Sequence, residues 1–155
     1  MALQTVHVLA TTPDGTRAAL AAGRTFARQR HTSMVLLVMA PDAWETARCV
    51  RVARQFNPWM PIRVCQGLNV TEAIKDVVPT LALVVIGGPA RRWWPTVEQR
   101  LVDRLCRHGR DAVFIEENAT DRARPSGGVN GGLDVQQLPR RATVHSLRTH
   151  RSDAR

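Results

Sequence analysis

The chain has 155 residues, of which 44% are apolar, enough for one domain with a real core. Its formal charge of +9 favours polyanions through steering, but 21 of its 22 basic residues are arginine, which reads first as a chain-wide compositional bias. No apolar run approaches the ~18 residues needed to span a bilayer, and Cys49, Cys65 and Cys106 form no C-x-x-C pair, so neither a membrane span nor a zinc site nor a thioredoxin-like motif is indicated.

The first residues show no basic segment leading into a long apolar one, and the expected compartment is the cytoplasm. Thr5 to Ala10 is a short β-rich run, closed by the turn residues Pro13, Asp14 and Gly15. A first helix is predicted from about Thr16 to Arg30, with Ala19, Leu20, Gly23, Phe26 and Ala27 on one stripe. Met34 to Ala40 is apolar without alternation, the pattern of a strand covered on both faces. Pro41 ends it, and Asp42 with Glu45 has the capping spacing that opens a second helix to about Phe56.

Ile62 to Gln66 is a short third strand. Asn69 then caps a helix on which Val70, Ala73, Ile74, Val77 and Val78 recur at helical spacing until Pro79. Leu81 to Ile86 is a buried strand that stops at Gly87 and Gly88. Thr96 and Gln99 have capping-box spacing and start a fourth helix, with Val97, Leu101, Val102, Leu105 and Cys106 on its stripe and Gly109 at its end. Asp111 to Glu116 is a fifth strand. Each cysteine is expected to be a small buried apolar side chain.

Five strands alternating with four helices predict a three-layer, doubly wound α/β domain over positions 1–117. From 118 to 155 the pattern dissolves into a Gly- and Pro-containing, basic stretch that reads as a disordered tail. The segment from Leu81 to Thr96 is the candidate site. A buried strand, a glycine turn and a helix N-terminus are where an open α/β protein meets an anionic ligand. Two readings of Arg91-Arg92-Trp93-Trp94 stand side by side: the arginines hold an anion beside the helix N-terminus, or the tryptophan rings close the site or anchor a protein partner.

Four features in order resemble the universal stress proteins of the UspA-like type: Pro13-Asp14-Gly15-Thr16 with the alanine-rich helix after it, Val35 to Val38, Leu83 to Gly87, and Val113 to Ile115. The resemblance covers roughly positions 5 to 117. It implies a parallel sheet in the order 3-2-1-4-5, which sets the Thr12–Gly15 loop beside the Gly87–Thr96 loop. It also implies an ATP site in which Asp14 lies against the nucleoside, Thr12 is nearby, and Val38 at the end of strand two lines the adenine side. In nucleotide-binding members the loop after strand four carries Gly, two residues, Gly, nine residues, then Gly with Ser or Thr. Here Gly87 fits the first position, but Ala90 stands three residues on and Arg100 thirteen on, so the pattern is broken.

The nucleotide-binding candidates are therefore Thr12, Asp14, Val38, Gly87, Gly88, Arg91, Arg92 and Thr96. Interface candidates are Trp93 and Trp94 for a partner, and Val113 and Ile115 on the fifth strand, through which family members often dimerise. No metal-ligand spacing and no nucleophile-base pair is present, so the expectation is a regulatory or stress-response protein with a degenerate nucleotide site rather than an enzyme. His7, His31 and His108 suit structural roles. The alternatives are an ATP- or anion-binding protein using Arg91 and Arg92, and a nucleic-acid-associated protein that neutralises phosphates with Arg140, Arg141, Arg148, Arg151 and Arg155 of the tail.

Overall fold

The computed structural model describes residues 5–39, 43–65, 69–91 and 93–117. The tail reading, the Pro41-Asp42 cap, the end of the third strand at Gln66 and the role of Arg92 lie outside the described residues. Strands and helices alternate as β1 (Val6–Leu9), α1 (Pro13–Gln29), β2 (Met34–Met39), α2 (Ala43–Phe56), β3 (Ile62–Cys65), α3 (Val70–Val77), β4 (Leu83–Gly88), α4 (Val97–Arg107) and β5 (Asp111–Glu116). The strands form one sheet in the order β3-β2-β1-β4-β5, parallel throughout, as the resemblance implies. Val6 stands opposite both Met34 and Leu83, and Leu9 opposite Leu37 and Ile86.

Successive side chains of a strand point to opposite faces, and the core divides accordingly. Val6, Val8, Leu36, Val38 and Val85 meet Ala19, Leu20, Ala27 and Ala53 from α1 and α2. Leu9, Leu37, Val84 and Ile86 meet Ala73, Ile74 and Leu105 from α3 and α4. Leu20, Leu36, Ile74, Ile86 and Leu105 are fully buried, each contributing roughly 1.5–3 kcal/mol of apolar burial.

The caps explain where the helices begin. The Asn69 side chain accepts from the backbone N–H groups of Thr71 and Glu72 at 3.0 and 3.5 Å. Thr96 and Gln99 form the expected capping box, at 3.3 Å from the Gln99 N–H to Thr96 Oγ1 and 2.7 Å from the Thr96 N–H to Gln99 Oε1. Gly109 ends α4 with φ at +73°, the left-handed conformation that a C-terminal glycine supplies.

Helix α1 departs from the sequence reading. It starts at Pro13, three residues before Thr16, because Thr12 caps it by accepting from the Gly15 N–H at 3.0 Å and proline is preset for a first helical position. What reads as a turn is the first turn of a helix. Two apolar assignments also change: Val97 is 78% exposed, and Cys106 is only half-buried, its thiol directed at the Ala112 carbonyl at 3.6 Å. Cys49 and Cys65 are buried as expected.

Candidate functional site

The chain leaves β1 toward β2 and leaves β4 toward β5, so crossovers diverge above the carboxyl ends of these two neighbours and leave a crevice there. Its floor is drawn tightly together. Thr11 Oγ1 donates to the Gly87 carbonyl at 2.6 Å. The first turn of α1 lies so close to the end of β4 that a Cβ on Gly87 would stand 1.9 Å from the Gly15 carbonyl oxygen, and a Cβ on Gly15 would stand 2.6 Å from the Gly87 oxygen. Both glycines are required by this backbone contact.

Gly88 is covered from the other side. A Cβ there would meet Glu98 Cγ at 3.0 Å and its carboxyl carbon at 3.1 Å, so an acidic side chain from the first turn of α4 lies against the second glycine. Beyond β5, the Glu117 N–H donates to the Gly88 carbonyl at 2.9 Å, and Thr12 Oγ1 donates to Glu117 Oε2 at 3.4 Å. The ends of β1, β4 and β5 are thus tied to one another by the chain's own groups.

The predicted site residues divide between this web and its surroundings. Thr12, Gly87 and Gly88 come together in the crevice. Thr96 is buried in its capping box, its hydroxyl oxygen taken by the Gln99 N–H. Asp14 stands on the exposed side of α1 and pairs with Arg17 at 2.7 Å. Arg91 is exposed and, with Trp94, Thr96, Val97, Glu98 and Arg100, lines an open depression of about 390 Å³ at the start of α4. Trp93 and Trp94 are 82% and 73% exposed, so the reading in which their rings plug the crevice is corrected: Gly15, Glu98 and Glu117 fill it instead. Val113 and Ile115 are partly buried and pack against the core on the α1 side.

A second cavity, about 250 Å³, opens between the ends of β1 and β2 and the first turns of α2. Val38 lines it with Ala10, Thr11, Met39, Glu45, Thr46 and Cys49. Cys49 accepts from Thr16 Oγ1 at 3.5 Å and directs its thiol at the Thr11 carbonyl at 3.4 Å. Burial pushes this thiol above its ordinary range, so it stays protonated and poorly nucleophilic.

Sequence reasoning missed Thr11, Glu98, Cys49 and Glu117. Glu98 could have been found as a carboxylate two residues into a helix that follows a glycine loop. Nothing in the sequence joins Thr12 to Glu117 across 105 positions. His7, given a structural role, sits buried on the central strand with neither ring nitrogen hydrogen-bonded to any described residue, and burial with the nearby Arg63 charge pushes its pKa down to about 4. Among the described residues there is no group of three or more His, Cys, Asp or Glu side chains able to hold a metal ion, and no helix long and apolar enough to cross a membrane.

No family model and no curated protein matches the chain. Among solved structures, the chain is similar to a universal stress protein crystallised in complex with cAMP, with a TM-score of 0.51 and 16% identity over 76% of this chain and 100% of that one. Identity at this level speaks for the arrangement of strands and helices alone, the parallel order β3-β2-β1-β4-β5. The chain has the fold of the universal stress proteins.

Proposed function

We propose that the protein is a UspA-like regulatory or stress-response protein that works in the cytoplasm by binding rather than by catalysis, with a degenerate nucleotide site. The observation that carries this reading is the packing of Gly87 and Gly88. In a phosphate-binding loop, glycines leave room for backbone to approach phosphate oxygens. Here the room above Gly87 is taken by the Gly15 carbonyl and that above Gly88 by Glu98. A carboxylate in the first turn of α4 also answers the helix dipole that would otherwise favour a ligand's negative charge. The apolar cavity beside Val38 keeps the base side open while the phosphate side is filled.

Isothermal calorimetry with ATP and magnesium, and with cAMP in parallel, tests this reading. The expected result is no saturable heat from ATP. Dimerisation through β5 belongs to the same proposal. That strand pairs with β4 on one side, and among the described residues its other edge has no partner strand, so a second copy would satisfy it. Light scattering of a concentrated sample is expected to give twice the chain mass.

A second reading, an ATP- or anion-binding protein using Arg91 and Arg92, is favoured by the depression at the start of α4, where Arg91 and Arg100 stand beside Trp94. Saturable ATP binding that disappears in Arg91→Ala/Arg92→Ala would establish it and overturn the first.

A further inference from the structure

The charge is not spread evenly over the two helical layers. Positions 13–58, which build α1, β2, α2 and the turn after it, carry seven arginines against three carboxylates, whereas positions 69–117 carry seven basic against seven acidic residues. A chain-wide preference for arginine accounts for the residue type but not for this imbalance. Arg17, Arg24 and Arg28 stand at i, i+7 and i+11 on the exposed side of α1, and Arg48 and Arg51 at i and i+3 on that of α2. The two helices pack side by side on one face of the sheet, and Arg24 crosses the seam, its guanidinium 5.6 Å from the centre of the Phe56 ring.

Arg17 and Arg48 are paired with Asp14 and Glu45 at 2.7 and 3.9 Å. Arg24, Arg28 and Arg51 have no carboxylate within ion-pairing distance among the described residues. Two exposed tryptophans stand at the two ends of α2: Trp44 in its first turn, 76% exposed, and Trp59 just past its end, 89% exposed. Trp59 is held out on a fixed turn. Arg54 donates to the carbonyls of Pro58 and Met60, the Trp59 N–H donates to Asn57 Oδ1 at 3.0 Å, and Met60 is buried beneath.

We propose that the α1/α2 face binds single-stranded nucleic acid, with Arg24, Arg28 and Arg51 holding backbone phosphates and Trp44 and Trp59 stacking on unpaired bases. Arginine supplies bidentate donors to phosphate, and every base offers a π-face to an exposed indole ring, which a duplex keeps hidden. Trp44 and Phe56, the last residue of α2, lie twelve positions apart, about 18 Å along the helix axis at 1.5 Å per residue, with Arg48 and Arg51 between them and Trp59 in the turn that follows. This spacing follows an extended polyanion. It does not make the contiguous apolar patch that inserts into a membrane, nor the central anchor of a protein interface.

The test is fluorescence anisotropy of a labelled deoxythymidine oligomer with the full chain, repeated over a salt series, with circular dichroism to check each variant's fold. Saturable, salt-sensitive binding is expected. Arg24→Gln/Arg28→Gln/Arg51→Gln should weaken it about tenfold or more and reduce the slope of log affinity against log salt by about 2, at roughly 0.7 per phosphate contact. Trp44→Ala/Trp59→Ala should weaken it about tenfold with the slope retained. Arg104→Gln/Arg107→Gln, on the opposite layer, should bind like the parent. Absence of binding, an unaffected triple-glutamine variant, loss only when Arg140, Arg141, Arg148, Arg151 and Arg155 become glutamine, or preference for duplex or for anionic vesicles would each overturn the proposal.

Discussion

The carbonyl oxygen of Gly15 occupies the position that a side chain on Gly87 would need, 1.9 Å from where its Cβ would stand. Helix α1 can therefore press its first turn onto the end of β4 only while both positions are glycine. Gly87→Ala is expected to destabilise the protein by about 3 kcal/mol, at the upper end of what overpacking usually costs, because the obstacle is backbone and cannot rotate away. Urea unfolding checks this, and an alanine variant as stable as the parent would show that α1 moves freely against β4.

Glu98 lies over Gly88, and its removal opens the part of the crevice that is covered by a side chain at the second glycine. Glu98→Ala should raise the affinity for inorganic phosphate or ATP measurably above the parent's, since an anion near the start of α4 would no longer face a carboxylate. Calorimetry reads the difference. Unchanged binding would place the block elsewhere, with the Gly15–Gly87 contact as the remaining obstacle.

Thr96 closes the reciprocal capping box that starts α4. Thr96→Ala leaves the Gln99 N–H without its acceptor and should cost about 1 kcal/mol. Thr96→Ser should recover most of that loss in thermal unfolding, because the serine hydroxyl accepts in the same geometry.

His7 gives the protein a pH dependence of definite sign. In the fold it stays neutral down to about pH 4, while the unfolded chain takes up a proton near its ordinary value of 6.5. Between these values the unfolded state binds more protons, so stability falls as pH drops from about 6.5 to about 4 and levels off below. The total is about 3 kcal/mol at 1.4 kcal/mol per unit. Denaturant midpoints measured across this range should show the decline. His7→Leu should flatten this part of the profile, and at pH 7 it also removes two buried nitrogens that no described residue satisfies.

The sequence by itself determined the order and kind of the elements, because each is written in local chemistry: non-alternating apolar runs for covered parallel strands, Asn69 and Thr96 for helix starts, Gly109 for a helix end. It also located the crevice, since strand-to-helix loops follow from that order. The exposed Trp93 and Trp94, the early start of α1 and the fate of Asp14 were decided only in three dimensions. Pro13-Asp14-Gly15 suits a turn and a capped first turn equally well, and the choice fell to Thr12, which caps the helix, and to the contact of Gly15 with Gly87 across the sheet. A glycine reads the same whether it makes room for a phosphate or for a neighbouring backbone. Only the packing of α1 and Glu98 against Gly87 and Gly88 separates the two, and those contacts join residues that the sequence keeps 72 and 10 positions apart.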